Sequence, residues 1–499
     1  MTRWRWVAVL LYMTSGRPGA GQTTGDQGTA RDWVREAIAA MGGENALRGV
    51  HGLHMVGVHQ VSGVPYSPHL TEPRMTYDFV DEWRDVDHGR ISRRVTAYAP
   101  NFRDGLRYRV IADPGGHTAI TETERFGTFP ADSAGVDEYA TELALAPERV
   151  LMNAMTASDL EARRDTMIAG QHYHMVGFRH GRTAVFIHAT THLPLAVETR
   201  IAVDDPDWTV WGDIVSRTTF SSWSRAHEGV HLPRTRTTTR NGIPYEAWSL
   251  TTMDVVESVP ADSFAIPDSL RQRGLHQPPL ALDTAHVIAD GVVFIPAIWN
   301  VLLVRQTDGV VVIEPPHSPR YSRLVIAEAA RRFPGVPIKA VIASDFMWSH
   351  YAGIREYIAR GAQVYTPDAN VADLRRILAA PHHLVPDSLA RAPRPPRITG
   401  VASRLTIGTG PNRIELLPAI EPGTDYGEHM LVAYLPERRL FYASDLLPTP
   451  AFEPNFVGQG TTDVAALVAR DGLAVDSVVA IHIPPRPWAP IADSVKAGY

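Results

Sequence analysis

The sequence predicts an α+β protein in two unlike halves: a β-rich N-terminal domain built on a curved antiparallel sheet, then a domain of alternating strands and helices. Three observations carry this. Between residues 52 and about 265, segments such as "HGLHMVGVHQV", "RISRRVTAY", "HTAITETERF", "YHMVGF" and "IVSRTTFSSW" follow one another with strand-like alternation and almost no helix between them, which suits an antiparallel sheet. The Pro-rich, polar stretch "IPDSLRQRGLHQPPLALDTA" then breaks the rhythm. After it, strands such as "IKAVIAS" and "QVYTP" alternate with helical segments such as "YSRLVIAEAARRF" and "IREYIARG".

These signals divide the chain into residues 22–270 (β-rich domain), 271–285 (linker) and 286–499 (α/β domain), with 1–21 read as a signal peptide. There Arg3 and Arg5 precede a short apolar run, Val7 to Met13, and small residues around Gly19 to Gly21, a run too short to span a bilayer. The expected location is therefore periplasmic or secreted, with no membrane span. With no cysteine, the chain has neither a lipid-anchored cysteine nor a disulfide, and thiolate metal ligands and Cys nucleophiles are excluded. A net charge of −6 supplies no basic field, so nucleic acid is excluded as a partner.

Within the first domain, "TARDWVREAIAAMGGENALRGV" reads as a helix opening on Thr29 and Asp32 in capping-box spacing and stopping at Gly42-Gly43, with Val34, Ile38 and Met41 on one face. One further helix is expected in "DEYATELALAPERVLMNAM". In the second domain Asp308-Gly309 marks a hairpin turn, and "PDSLARAPRPPRIT" reads as a loop.

Over residues 285–490 the order of elements resembles the metallo-β-lactamase superfamily. "HVIADGVVFIPAIWNVLLVRQTDGVVVIEPP" is similar to its opening hairpins, "LLPAIEPGTDYGEHMLVAYLPERRLFYASDLL" to its middle section, and "VVAIHIPP" to its last ligand strand. That resemblance implies a four-layer αββα sandwich. The N-terminal half, through "MGGENALRGVHGLHMVGV", "THLPLAVET" and "ADSFAIP", resembles the β-rich exported domain attached to some bacterial members, and through it lipoprotein-carrier-like curved sheets.

Active members of the superfamily carry T-H-x-H-x-D-H-x-G-G, whose histidines and aspartate hold two metals. Here those positions read Ser344, Asp345, Phe346, Met347, Trp348, Ser349, His350, Tyr351, Ala352 and Gly353, so only His350 keeps its ligand type. Tyr426 stands where the family has a third first-metal histidine, with Glu428 and His429 close by. Asp445 falls at the bridging carboxylate and His482 at the last histidine. The resemblance thus implies His350, Asp445 and His482 as metal ligands.

Imidazole and carboxylate are good zinc ligands, and three of them plus water make a catalytic site. A thioether at Met347 and a neutral hydroxyl at Ser349 are poor ligands for such a cation, which leaves one Zn2+ or none. With one metal the chain is an exported hydrolase of an ester, amide, lactone or phosphoester, with Asp345 as general base and Tyr426 as donor to a developing oxyanion. With none it is a catalytically inactive homologue that binds an apolar or acyl ligand in the periplasm. In either case the partner is a small molecule.

Each residue also has a plain structural role open to it. His350 suits a helix cap or the surface, Asp445 a turn, and His482 a solvent-facing strand position. Trp208, Trp211 and Trp223 either line a ligand groove on the N-terminal sheet or pack its core or edges. No G-x-S-x-G elbow, phosphate-binding P-loop or complete dinucleotide fingerprint is present.

Overall fold

The computed structural model describes residues 27–67, 75–98, 106–124, 127–131, 133–226, 229–271, 284–297, 299–419, 429–447 and 459–496. The expected signal peptide and most of the linker lie outside these residues. Among them, no helix is long and apolar enough to cross a membrane.

The N-terminal half forms one 13-stranded sheet. Its first strand, Gly52–Ser62, pairs antiparallel with its last, Ile243–Val256, at the centre, and the other strands extend outward on both flanks to free edges at Gly127–Pro130 and Glu161–Ile168. Alternation along these strands turns one set of side chains, among them Leu53, Val80, Val176, Val185 and Leu250, onto a shared core. Helix Gln27–Ala40 closes that core with Val34, Ala37 and Ile38. It is already under way at Gln27, so Thr29 lies inside it rather than capping it, and Asp32 pairs with Arg35 one turn on. The second expected helix is two, Ser133–Ala144 and Pro147–Thr156, because Pro147 has no N–H to continue the first and suits the opening turn of the next.

Arg84 ties this helical layer to the sheet. It is 1% exposed and bonds Glu82 at 2.5 Å, Glu142 at 2.7 Å and Glu148 at 3.4 Å. Burial alone would raise Glu82, but the guanidiniums of Arg84 and Arg93 hold its carboxyl down to about 2. Beside this network, a void lined by Leu53, Met55, Arg84, Glu148, Arg236 and Met253 measures about 10 Å³, room for one water rather than an acyl chain.

The C-terminal half contains two sheets. Seven strands run in chain order from His286–Ala289 to Arg397–Val401, antiparallel as far as Gly309–Ile313 and parallel from there through Ile338–Ile342 and Gln363–Pro367. The hairpin at Asp308 is present, with Gln306 opposite Gly309. Six strands from Leu405–Ile407 to Ile483–Pro487 make the other sheet, in which Leu440–Tyr442 and Ser477–Ala480 are parallel. Phe294, Leu302 and Val311 of the first sheet meet Leu416, Leu431 and Val479 of the second in one core. Helix Pro319–Arg332 packs Tyr321 and Val325 against the first sheet's other face, and helix Gln459–Arg470 packs Val464 and Leu467 against the second's. Strands covered on both faces read as unbroken apolar runs, as "VVFI" and "GVVVI" do. The stretch expected to be a loop holds a helical turn, Ser388–Arg391, capped by Asp387, and then the strand Arg397–Val401.

The two halves share a core. Trp208, Val210, Trp211 and Ile214 of the first lie in the same buried cluster as Trp348, Tyr351, Leu374 and Ile377 of the second. Trp348 is the wedge: its ring meets Trp208 at 5.0 Å and Trp211 at 5.2 Å, edge to face. Trp208 and Trp211 therefore neither line a groove nor fill the core of their own sheet. Trp223 does border the N-terminal core, 6.3 Å from Phe220. Around the wedge, Asp213 accepts from the backbone N–H groups of His383 and Leu384 at 3.0 and 2.8 Å. Gly212, at φ +61°, lets the chains close, since a Cβ there would come 2.4 Å from the Pro381 carbonyl oxygen. Trp348→Ala is expected to cost about 3–5 kcal/mol of stability and to split a single denaturant-unfolding transition into two; an unchanged midpoint would show that the wedge does not couple the halves.

Candidate metal centre

The centre forms where parallel strands end. Glu314 follows Gly309–Ile313, Asp345 follows Ile338–Ile342, Asp445 follows Leu440–Tyr442, and His482 follows Ser477–Ala480. Parallel strands bring their carboxyl ends to one side, which is where such sheets open a crevice. Backbone bonds extend the ladders past the strands: Glu314 N–H donates to the Ile342 carbonyl at 2.9 Å, Ala443 to Val479 at 2.8 Å, and Ile481 to Ser444 at 2.9 Å. The Ser344 and Ser444 hydroxyls meet at 2.6 Å and join the two sheets. Glu314 and Ser444 both have positive φ, 77° and 52°, a conformation that costs of order 1–3 kcal/mol per residue and persists only where surroundings enforce it.

Asp345, His350 and Asp445 converge here, each offering one ligand atom within 4.8 Å of the others. Asp345 and His350 are buried and a fifth of the Asp445 side chain is exposed. Glu314, also buried, accepts the Ser344 backbone N–H at 3.1 Å and hydroxyl, and its Oε2 lies 3.2 Å from His350 Nδ1. His350 is thus neither a cap nor a surface residue. Asp345 Oδ1 accepts from Met347 N–H at 2.8 Å, while its buried Oδ2 has no hydrogen-bond partner.

Crowded negative charge shapes the protonation of this group. Burial pulls the His350 imidazolium down, but Asp345, Glu314 and Asp445 outweigh it and lift its pKa to about 9. Burial, then the charges of Asp345 and Glu314, raise Asp445 to about 7 against the pull of His350. Asp345 is raised too, chiefly by burial.

His482 does not join the three. It sits in the turn between Ser477–Ala480 and Ile483–Pro487 rather than along a strand, which sets its Nε2 3.5 Å from Asp445 Oδ1, on the solvent side. Tyr426 and Glu428 lie outside the described residues. His429 is buried and bonded to Asn370, with its ring 6.0 Å from that of Phe346, and is not one of the three. Sequence reasoning missed Glu314, whose only local signal is a charged residue ending an apolar strand. It also missed two residues of the N-terminal half, Tyr66 and Asp207. Tyr66 donates to Asp207 at 2.5 Å, and Asp207 accepts from the Ser349 hydroxyl beside His350. Burial and the neighbouring Asp205 raise Asp207 to about 6.

No family model and no curated protein sequence matches the chain. Solved structures do. The chain is similar to the DIM-1 metallo-β-lactamase, at 12% identity and TM-score 0.33 over 43% of this chain and 97% of that one. It is also similar to a metallo-β-lactamase from Pontibacter korlensis, at 14% identity and TM-score 0.32 over 42% and 96%. The stereoselective inverting sec-alkylsulfatase Pisa1 from Pseudomonas sp. matches at 15% identity and TM-score 0.31, over 43% of this chain and 40% of that one.

A divalent cation fits this donor set. Two carboxylates and an imidazole suit zinc, the unpartnered Asp345 Oδ2 is a donor in want of a charge, and Glu314 holds Nδ1 of His350, leaving Nε2 to ligate. In the metal-free chain His350 stays protonated at pH values where the unfolded chain has lost that proton. Its contribution is therefore complete below pH 6.5 and lost as pH rises through about 9. Denaturant titrations in chelator are expected to show roughly 3 kcal/mol lost across that window, and a shallower profile for His350→Gln, in which Asp445 still titrates; equal slopes in both chains would refute the assignment.

Proposed function

We propose that the chain is a single-metal hydrolase of a carboxylic or phosphoric ester, an amide or a lactone. The observation that carries this reading is the convergence of Asp345, His350 and Asp445, with Glu314 behind His350, at the carboxyl ends of strands from both sheets of the C-terminal half. Asp345, His350 and Asp445 would hold the cation. The family resemblance in "LFYASDLL" and "VVAIHIPP", and the layout of two facing sheets with helices outside, support reading this half as a metallo-β-lactamase-like αββα domain. Export, with residues 1–21 as signal peptide, belongs to the same reading.

When bound, such an ion polarises a carbonyl or phosphoryl oxygen and brings the pKa of a water toward neutrality. The chain's own residues do the rest. Asp345 serves as a ligand in this arrangement, since its buried carboxylate faces the group of three and has no exposed side from which to collect a proton. His482, a quarter exposed and beside Asp445, is the group placed to hold or pass a proton at Nε2 at the solvent face. Glu314 fixes the ring of His350, and Ser344 and Ser444 fix Glu314 and the two loops. Tyr66 and Asp207 wall the centre from the side of the N-terminal half and exclude water there.

The full chain, stripped and reloaded with Zn2+, is expected to retain about one zinc by mass spectrometry and to cleave a p-nitrophenyl ester, a lactone or a p-nitrophenyl phosphate. His350→Ala/Asp445→Asn is expected to lose both properties. Glu314→Gln should lower zinc affinity roughly 10–100-fold. Turnover that survives in the metal-free double variant, or a chain that retains no zinc, would sink the reading.

A further inference from the structure

A second set of metal-ligating side chains lies at the far edge of the N-terminal sheet, and nothing in the function proposed above uses it. Strand Glu161–Ile168 is an edge of the sheet, and among the described residues Gln171–Phe178 is its only strand neighbour. His172 and His174 stand two apart on the latter. Residues two apart on a strand share a face, so both rings point the same way, while Tyr173 between them turns to the other side and is buried.

The edge strand supplies the third group through an irregularity. Its pairing runs Ile168–Gln171, Met167–His172 and Thr166–Tyr173, then slips so that Arg163 pairs with Met175. Arg164 and Asp165 thus share the single place opposite His174, the arrangement of a β-bulge. Asp165 comes to lie across from His174 and diagonal to His172, and its Oδ2 is 3.0 Å from His174 Nδ1 and 2.8 Å from His172 Nε2. One ligand atom from each of the three lies within 4.8 Å of the others. Helix Gln27–Ala40 fixes one ring further: Trp33 stacks on His174 with centroids 4.3 Å apart and planes 10° from parallel.

We propose that Asp165, His172 and His174 form a surface binding site for a divalent transition-metal ion of the Zn2+ or Cu2+ class. Two imidazole nitrogens and one carboxylate oxygen are borderline donors that suit these ions and not Ca2+ or Mg2+, which favour all-oxygen sets. Half of the His172 side chain and a third of that of Asp165 are exposed, so an ion enters directly from solvent, and water completes its coordination. Binding exchanges the two imidazole–carboxylate contacts for metal bonds and releases whatever protons the imidazoles carry.

The stack of Trp33 on His174 gives the test its readout. Cu2+ bound to His174 quenches an indole in contact with that ring, so Cu2+ titrated into the metal-free full chain is expected to quench part of the tryptophan fluorescence saturably. His172→Ala/His174→Ala should weaken that phase at least tenfold and Asp165→Asn less so, while Trp33→Phe should remove the quenching but keep the bound ion by equilibrium dialysis. Zn2+ should compete with Cu2+, and Mg2+ should not. His350→Ala/Asp445→Asn should leave this phase intact, so failure of the central metal reading would not touch the result. Unaltered folding of the edge variants is checked by circular dichroism. A quenching phase or a stoichiometry indifferent to the edge substitutions, or absent from the wild-type chain, would overturn the proposal.

Discussion

The C-terminal half is organised around one buried carboxylate. Glu314 sits at the end of an apolar strand, in a left-handed backbone conformation, without access to water. A charge in that position is tolerable only if it is bonded on every side. Ser344 supplies a backbone N–H and a hydroxyl, Ser444 approaches through Ser344, and His350 supplies the imidazole. With Glu314 itself, those residues come from three connections belonging to two sheets. Satisfying Glu314 therefore draws the loops together, and the convergence of Asp345, His350 and Asp445 follows from it. The same constraint explains why His350 remains charged in the metal-free chain: it faces the carboxylates of Glu314, Asp345 and Asp445.

The N-terminal half is a wall of this centre as well as an appendage to it. Trp348, two residues before His350, is seated between Trp208 and Trp211, and Asp207 from the same loop reaches Ser349. The short helix that carries His350 is thus fixed on one side by Glu314 and on the other by the N-terminal half. A helix of four residues has little stability of its own. Its position is set by what it packs against.

Much of the architecture was legible because it rests on local signals. Strand alternation, the change of rhythm near residue 270, the Asp308-Gly309 hairpin and the loops bearing His350 and Asp445 all reflect short-range pattern. What the pattern hid depends on partners distant in sequence. Glu314 reads as a charged strand end until its burial is known. Trp208 and Trp211 read as residues of their own sheet until Trp348 fills the space between them. Asp207 and Tyr66 reach the centre across a junction that no periodicity marks. His172 and His174 stand two apart in the sequence, a spacing that names no site by itself, and their carboxylate arrives only through a slipped register, which composition does not encode. His482 sits in a turn where "VVAIHIPP" reads as continuous strand, because proline and β-branched residues on both sides suit extended chain equally well.

The pairing of Gly52–Ser62 with Ile243–Val256 places the first and last strands of the N-terminal sheet side by side at its centre. Each flank is a meander of neighbours in sequence and can assemble as soon as it is made, whereas the central seam waits for the last strand of the domain. A sheet of this kind has many low-order contacts and one high-order closure, and such closure sets the pace of folding. Until it happens, both central strands are unpaired edges, the surfaces most prone to join another chain. The residues that follow the seam, through Asp268–Arg271, still pack on one flank of the sheet, so the second half begins to emerge only when the first has everything it needs to close.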